Sequence, residues 1–173
     1  MRSYKVVGII LKRSNFSEAD KLVTVFTKEL GKIKVLAKGV RRINSRRAPH
    51  LELFNQVELV LHSGKTFDTI TEARVINDYS SPKSDLKLSG YLFYLVEVID
   101  KILPEHQPHP EIFTDLVSCF KSLKQDKIKI FVVELLWSLG YLPKGQYPKL
   151  GVTDYVESVV EKRIRSKKFL EEI

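Results

Sequence analysis

Between Gly31 and His50 the chain carries seven cations, Lys32, Lys34, Lys38, Arg41, Arg42, Arg46 and Arg47, and no Asp or Glu. Like charges this close repel one another, so the arrangement carries a standing cost that an anion would relieve. A row of phosphates suits a row of cations, because released counterions drive binding and each Arg can grip a phosphate through two parallel hydrogen bonds. The plainer reading is a solvated basic face, which is common on small domains. Twenty residues without an acid favour the polyanion surface.

Other residue types offer less. The chain has no Gly-rich phosphate loop, no nucleophile elbow and no His-Glu-x-x-His helix. His106 and His109 have a spacing that could touch a metal, but they sit in a Pro-rich connection, where a solvated loop is the commoner outcome. Nothing in the spacing of Asp20, Asp68 and Asp78 predicts a cluster. The expectation is a binding protein, not an enzyme, with no cofactor. A hydrolase would need an acid or His cluster to emerge in the fold. Cys119 stands alone, so an internal disulfide or a cysteine-based zinc site is not expected, and a reducing cytoplasm is the natural home.

The elements that must hold the cations are legible from period. Residues 4–12, 21–29, 31–39, 56–64 and 67–76 alternate with period two, with turns at Glu29–Gly31 and His62–Lys65. Five short strands with one long connection predict a small closed barrel, of which the OB-fold is the commonest nucleic-acid-binding version. On the third strand Ile33, Val35 and Ala37 face inward, which sends Lys32, Lys34 and Lys38 outward as a row. Tyr4, Phe16, Phe26 and Phe54 are candidates for stacking on bases, with Phe26 and Phe54 better assigned to the core.

From Ser81-Pro82 the period becomes helical. One helix is expected to run to Pro104 and a second to begin at Pro110. A third, capped by Asp126, should stop at Gly140 and Pro143, and a last one should open on Asp154 and Glu157 and run toward Phe169. The predicted class is therefore α+β: an OB-fold barrel over residues 1–80, then an α-helical bundle over 81–173. Charge follows the same division. Residues 1–80 hold 15 basic and 8 acidic side chains, and residues 81–173 hold 14 and 13. The polyanion contact is thus expected in the first half.

In the helical half, Lys127 and Lys129 precede Phe131, Leu135, Leu136 and Trp137. A groove of these apolar residues rimmed by lysine would suit a peptide ending in acidic and aromatic residues; an ordinary interior with solvated lysines is the alternative. Lys162, Arg163, Arg165, Lys167 and Lys168 could extend the basic surface or complement a helix C-terminus. No apolar run reaches the roughly 20 residues of a membrane span, no basic amphipathic helix suggests a membrane surface, and nothing at the N-terminus suggests secretion.

These residues resemble the bacterial recombination mediator RecO family. The likeness rests on Gly8–Arg13, Ser17–Val23 and Gly31–Arg42 in "YKVVGIILKRSNFSEADKLVTVFTKELGKIKVLAKGVRR". It continues through "LELFNQVELVLHSGKTFDTITEARVI", "SGYLFYLVEVIDKILPEHQPHPEIFTDL", "LLWSLGYLP" and Arg165–Leu170, and so covers nearly the whole chain. The resemblance implies an N-terminal OB-fold, a helical C-terminal domain and a cytoplasmic, nucleoid-associated role in DNA damage repair and recombination. It further implies binding of single- and double-stranded DNA, strand annealing, recombinase loading, and partnership with RecR and the tail of the single-stranded-DNA-binding protein.

Lys34, Lys38, Arg41 and Arg42 fall on the positions of that family's DNA surface, which Lys32, Arg46, Arg47 and Arg13 would extend. Lys129 sits where the family tends to be basic. The chain departs from the family after "LGYLP", where "KGQYPKLG" stands in place of a four-cysteine zinc module. The alternative class is an OB-fold adaptor for protein or RNA.

Overall fold

The computed structural model describes residues 2–171. Five strands, β1 (Ser3–Asn15), β2 (Lys21–Thr27), β3 (Gly31–Ala37), β4 (Gln56–His62) and β5 (Asp68–Asn77), close a barrel in the order β1-β2-β3-β5-β4. Closure depends on the length of β1, which pairs with β4 through Ser3–Ile9 and with β2 from Gly8 to Asn15. A strand serving both neighbours has to bend. The register shifts between Ile10 and Lys12, and Gly8 marks the crossing, where a Cβ would stand 2.5 Å from Val25 Cγ1. The last seam is short and parallel, with Val35 opposite Asp68 and Leu36 opposite Thr69.

Alternation fills the barrel as the period-two pattern requires. Val6, Ile10, Val23, Val25, Ile33, Val35, Ala37, Val57, Leu59, Leu61 and Ile70 are buried together, joined by Val40 and Leu51 from the β3–β4 connection. That connection makes one 3-10 turn at Ala48–Leu51, and buried Asn55 ties it down by donating from Nδ2 to the His50 carbonyl at 3.0 Å.

The chain divides into two compact units. The barrel unit holds residues 1–79 together with Pro104–Pro110, and the second unit holds 80–103 and 111–173. In the barrel unit, Glu105 bridges to Lys32 and His106 N–H donates to the Lys32 carbonyl at 2.9 Å. Gly31, at φ +74°, turns the β2–β3 hairpin and makes room for this segment. A Cβ there would lie 2.1 Å from the Gln107 carbonyl oxygen.

The helical unit contains α1 (Ser80–Ser84), α2 (Leu86–Ile102), α3 (Pro110–Lys121), α4 (Gln125–Ser138), α5 (Val152–Val160) and α6 (Lys167–Glu171). α2 is its axis, buried along Tyr91, Leu92, Tyr94, Leu95, Val98 and Ile99. Three expected helix boundaries move. Pro82 is the third residue of the five-residue α1, which starts at Ser80; the long helix starts after Asp85, whose Oδ1 accepts from Leu88 N–H at 2.9 Å. Lys124, not Asp126, occupies the cap of α4, and Gly151, not Asp154, that of α5.

The last expected helix is two. Glu161 adopts φ +54° and ends α5, and Glu157 Oε1 accepts from Ile164 N–H at 2.8 Å in the connection to α6. Glu97 on α2 fixes that connection by accepting from the backbone N–H of Arg165 and Ser166, each at 2.8 Å, and from the Ser166 hydroxyl and Lys101.

Candidate nucleic-acid interface

The predicted cations separate into three groups once placed on the barrel. Lys38, Arg41, Arg42 and Arg46 are exposed. Asp20, Lys38, Arg42, Asn44, Arg46 and Arg47 line an open cleft of about 460 Å³. Among the described residues no carboxylate comes within ion-pair distance of Lys38, Arg41, Arg42 or Arg46. Asp20 is engaged by the backbone: its Oδ1 accepts from Gly39 N–H at 2.8 Å. That hydrogen bond first, with Ser17 and then the charges of Lys38 and Arg42, holds the Asp20 carboxyl below the usual carboxylate range.

Arg47 forms the second group. Its guanidinium donates to the Ile70 carbonyl at 2.6 Å and to the Lys38 carbonyl at 2.7 Å, and so braces the β3–β4 connection against β5. Arg41 makes a related contact, donating from Nη1 to the Ser17 carbonyl, while its backbone N–H donates to the Ala19 carbonyl at 3.0 Å. A carbonyl oxygen satisfies a guanidinium donor without cancelling its charge. Both arginines are therefore oriented and remain cationic.

The third group is matched by acids. Lys34 Nζ lies 2.7 Å from Glu105, and Arg13 lies 3.5 Å from Glu52. The Lys34 ammonium draws the Glu105 carboxyl below its usual range. Lys32 departs from the outward row: it is only 8% exposed, because segment 104–110 runs alongside it. A strand period sets which face a side chain takes but not what later covers that face. Ile33, Val35 and Ala37 do face inward as the alternation requires.

The aromatic candidates divide similarly. Phe26 and Phe54 are core, and Tyr4 donates its hydroxyl to Asp68. Phe16 is 52% exposed and meets Phe67 edge to face, with ring centroids 6.0 Å apart. Phe67 was not singled out by the sequence; its place at the end of a Gly–Lys–Thr turn before a strand was the available signal.

The lysine-rimmed groove does not assemble as expected. Phe131, Leu135 and Leu136 are interior, and Trp137 is covered from the other side, donating from Nε1 to the Gln146 carbonyl at 2.8 Å and packing on Tyr147 at 5.6 Å. Lys127 and Phe131 do line one 180 Å³ cleft, with Asp115, Ile130 and Glu134, while Lys129 is exposed on α4 and does not line it.

A zinc module does not fit the loop after α4. Residues 144–150 contain neither Cys nor His, and the single cysteine, Cys119, is buried in α3 with its thiol pushed up to about 12 by burial. Among the described residues, no three His, Cys, Asp or Glu side chains gather as a metal site would require; Asp20 accepts from Gly39 N–H, and Asp68 accepts from Gly64 N–H and the Tyr4 hydroxyl. No helix is long and apolar enough to cross a membrane.

Comparison with known proteins gives a consistent result. Residues 1–79 match the family model for the N-terminal part of recombination protein O, and residues 83–147 that for its C-terminal part. The DNA repair protein RecO of Roseiflexus sp. is 31% identical over 148 residues, spanning 83% of this chain and 52% of its own length. That of Symbiobacterium thermophilum is 32% identical over 149 residues, with shares of 83% and 59%. That of Dehalococcoides mccartyi is 34% identical over 146, with shares of 82% and 58%. The chain thus spans between half and three fifths of the length of these curated relatives.

Proposed function

The chain belongs to the RecO family, and on that premise we propose that it is a non-enzymatic DNA repair and recombination mediator whose OB-type barrel holds DNA by its backbone. Lys38, Arg41, Arg42 and Arg46 are the residues that lie along the phosphates, with Arg47 shaping the loop that presents them. The observation that carries the reading is the cleft on the closed barrel where Lys38, Arg42, Arg46 and Arg47 face a single carboxylate, Asp20. Phosphate contacts of this kind position a strand without reading its sequence, so single and double strands are both ligands.

Annealing follows from the same physics. Two complementary strands repel through their phosphates, and a surface that neutralises one of them lowers the cost of bringing in the other. No covalent step is involved. The curated relatives are named DNA repair proteins, and recombinase loading with RecR and the tail of the single-stranded-DNA-binding protein extends the reading to a cytoplasmic partner assembly at the nucleoid.

The test is annealing of complementary oligonucleotides, with and without the single-strand-binding protein, by wild type and by an R41E/R42E/R46E variant. The variant should lose annealing and retain its thermal unfolding temperature. Arg47 is left intact because its two carbonyl contacts make it part of the fold. Undiminished annealing by a folded variant contradicts the proposal and returns the barrel to the adaptor class.

A further inference from the structure

We propose that Phe16 and Phe67 form a base-stacking step for single-stranded DNA, which gives the barrel a preference its cations cannot supply. The inference rests on the DNA-holding reading above and adds to it the form of DNA preferred.

The two rings come from loops on different parts of the chain. Phe16 begins the 16–20 loop between β1 and β2, and Phe67 ends the loop between β4 and β5. Each loop is held in place. Phe16 N–H donates to the Asp20 carbonyl at 3.0 Å, and Asp20 in turn accepts from Gly39 at the start of the basic segment. On the other side Gly64 N–H donates to Asp68 Oδ1 at 3.0 Å, and Asp68 pairs with Val35 on β3. The rings therefore meet at 6.0 Å with an 87° interplanar angle over fixed backbones, leaving Phe16 half in water.

A free guanidinium charge lies beside the Phe16 loop. The Arg41 guanidinium rests on Ser17, the neighbour of Phe16. Lys34, paired with Glu105, lines a 240 Å³ cleft with Phe67 and Thr66, and Asp68 lines it too. An exposed aromatic face beside the Arg41 guanidinium suits a nucleotide, whose base can stack while its phosphates reach Lys38, Arg41 and Arg42. A purely apolar or a purely acidic peptide would satisfy only one of the two features. Duplex bases are stacked on each other and offer no free face, so the ring contact discriminates where charge does not.

The probes are three fluorescently labelled ligands of equal length at one salt concentration: oligothymidylate, the same backbone with abasic sites, and a duplex. Phe16→Ala should weaken oligothymidylate binding about tenfold, change the other two less than about twofold, and leave the salt slope unaltered. Phe16→Trp should restore binding, with indole fluorescence quenched by oligothymidylate but not by the abasic strand. Equal weakening of all three ligands by Phe16→Ala, or none, overturns the stacking step. The companion variant R41E/R42E separates the two readings. It should weaken all three ligands, and if it weakens none the phosphate-holding role itself fails, whatever Phe16→Ala does.

Discussion

Residues 41–47 and residues 162–168 are both seven-residue stretches crowded with cations, four in the first and five in the second. In the second stretch Lys167 reaches Asp154, Glu157 and Glu171. Lys168 lies 5.2 Å over the Phe169 ring, and the Arg163 carbonyl accepts from Lys101. These contacts hold α6 in its unit. In the first stretch the side-chain partners are carbonyl oxygens, which orient a guanidinium and leave its charge for something outside the protein. Local cation density is therefore a poor guide to a binding surface. What distinguishes Lys167 from Arg41, Arg42 and Arg46 is that the fold brings three acids to it, whereas Lys162, Arg163 and Arg165 are exposed as those arginines are.

The comparison breaks most directly under substitution within each stretch in turn. R41E/R42E/R46E should reduce duplex affinity on the order of a hundredfold at about 0.1 M salt. Lys167→Gln, which removes a cation already met by three carboxylates, should change it less than about threefold. Similar losses measured by fluorescence anisotropy would mean that both stretches face DNA and that the distinction drawn here is false.

The reverse pattern is expected for stability. Glu97→Ala removes the acceptor for Lys101, Ser166 and two backbone N–H groups, and should cost about 2 kcal/mol by urea unfolding. DNA binding by the folded fraction should not change. Burial alone would raise the Glu97 carboxyl, yet these donors together hold it below its ordinary 4.5. The sign follows from linkage: a depressed folded-state pKa gives stability present above the ordinary value and lost as pH falls through the lower one. Acidification from pH 5 should therefore narrow the gap between wild type and Glu97→Ala, and a gap that does not depend on pH would contradict the assignment.

Within the barrel, Arg46 and Arg47 should separate the same two roles at adjacent positions. Arg47→Ala breaks two carbonyl contacts and should cost about 1–2 kcal/mol of stability, whereas Arg46→Ala should leave unfolding unchanged and weaken binding severalfold. The smallest effect is expected at Glu105. Glu105→Gln removes the acid 2.7 Å from Lys34, and duplex affinity should rise about two- to threefold at low salt, with a salt slope steeper by up to about 0.9. An unchanged slope would mean that Lys34 does not face the phosphates.

Much of this was legible in the residues. Alternation located the five strands to within a few positions, and the acid-free run marked the basic loop, because both are properties of consecutive residues. The burial of Lys32, the pairing of Lys34 with Glu105 and the bracing role of Arg47 depend on partners 23 to 73 positions away in the chain, and no local pattern encodes them. The Phe16–Phe67 pair belongs to the same class. The α5–α6 break was missed for a different reason: an apolar period that continued past Val160 gave no sign that Glu161 would leave the helix.

The most direct test of the central claim is the salt dependence of duplex binding by the unmodified protein. Four free cations on phosphates predict that log affinity falls linearly with log salt at a slope of about −3 to −4, and that removing Lys38, Arg41, Arg42 and Arg46 together flattens it. A slope shallower than about −1, or one that the quadruple variant leaves unchanged, would contradict the account.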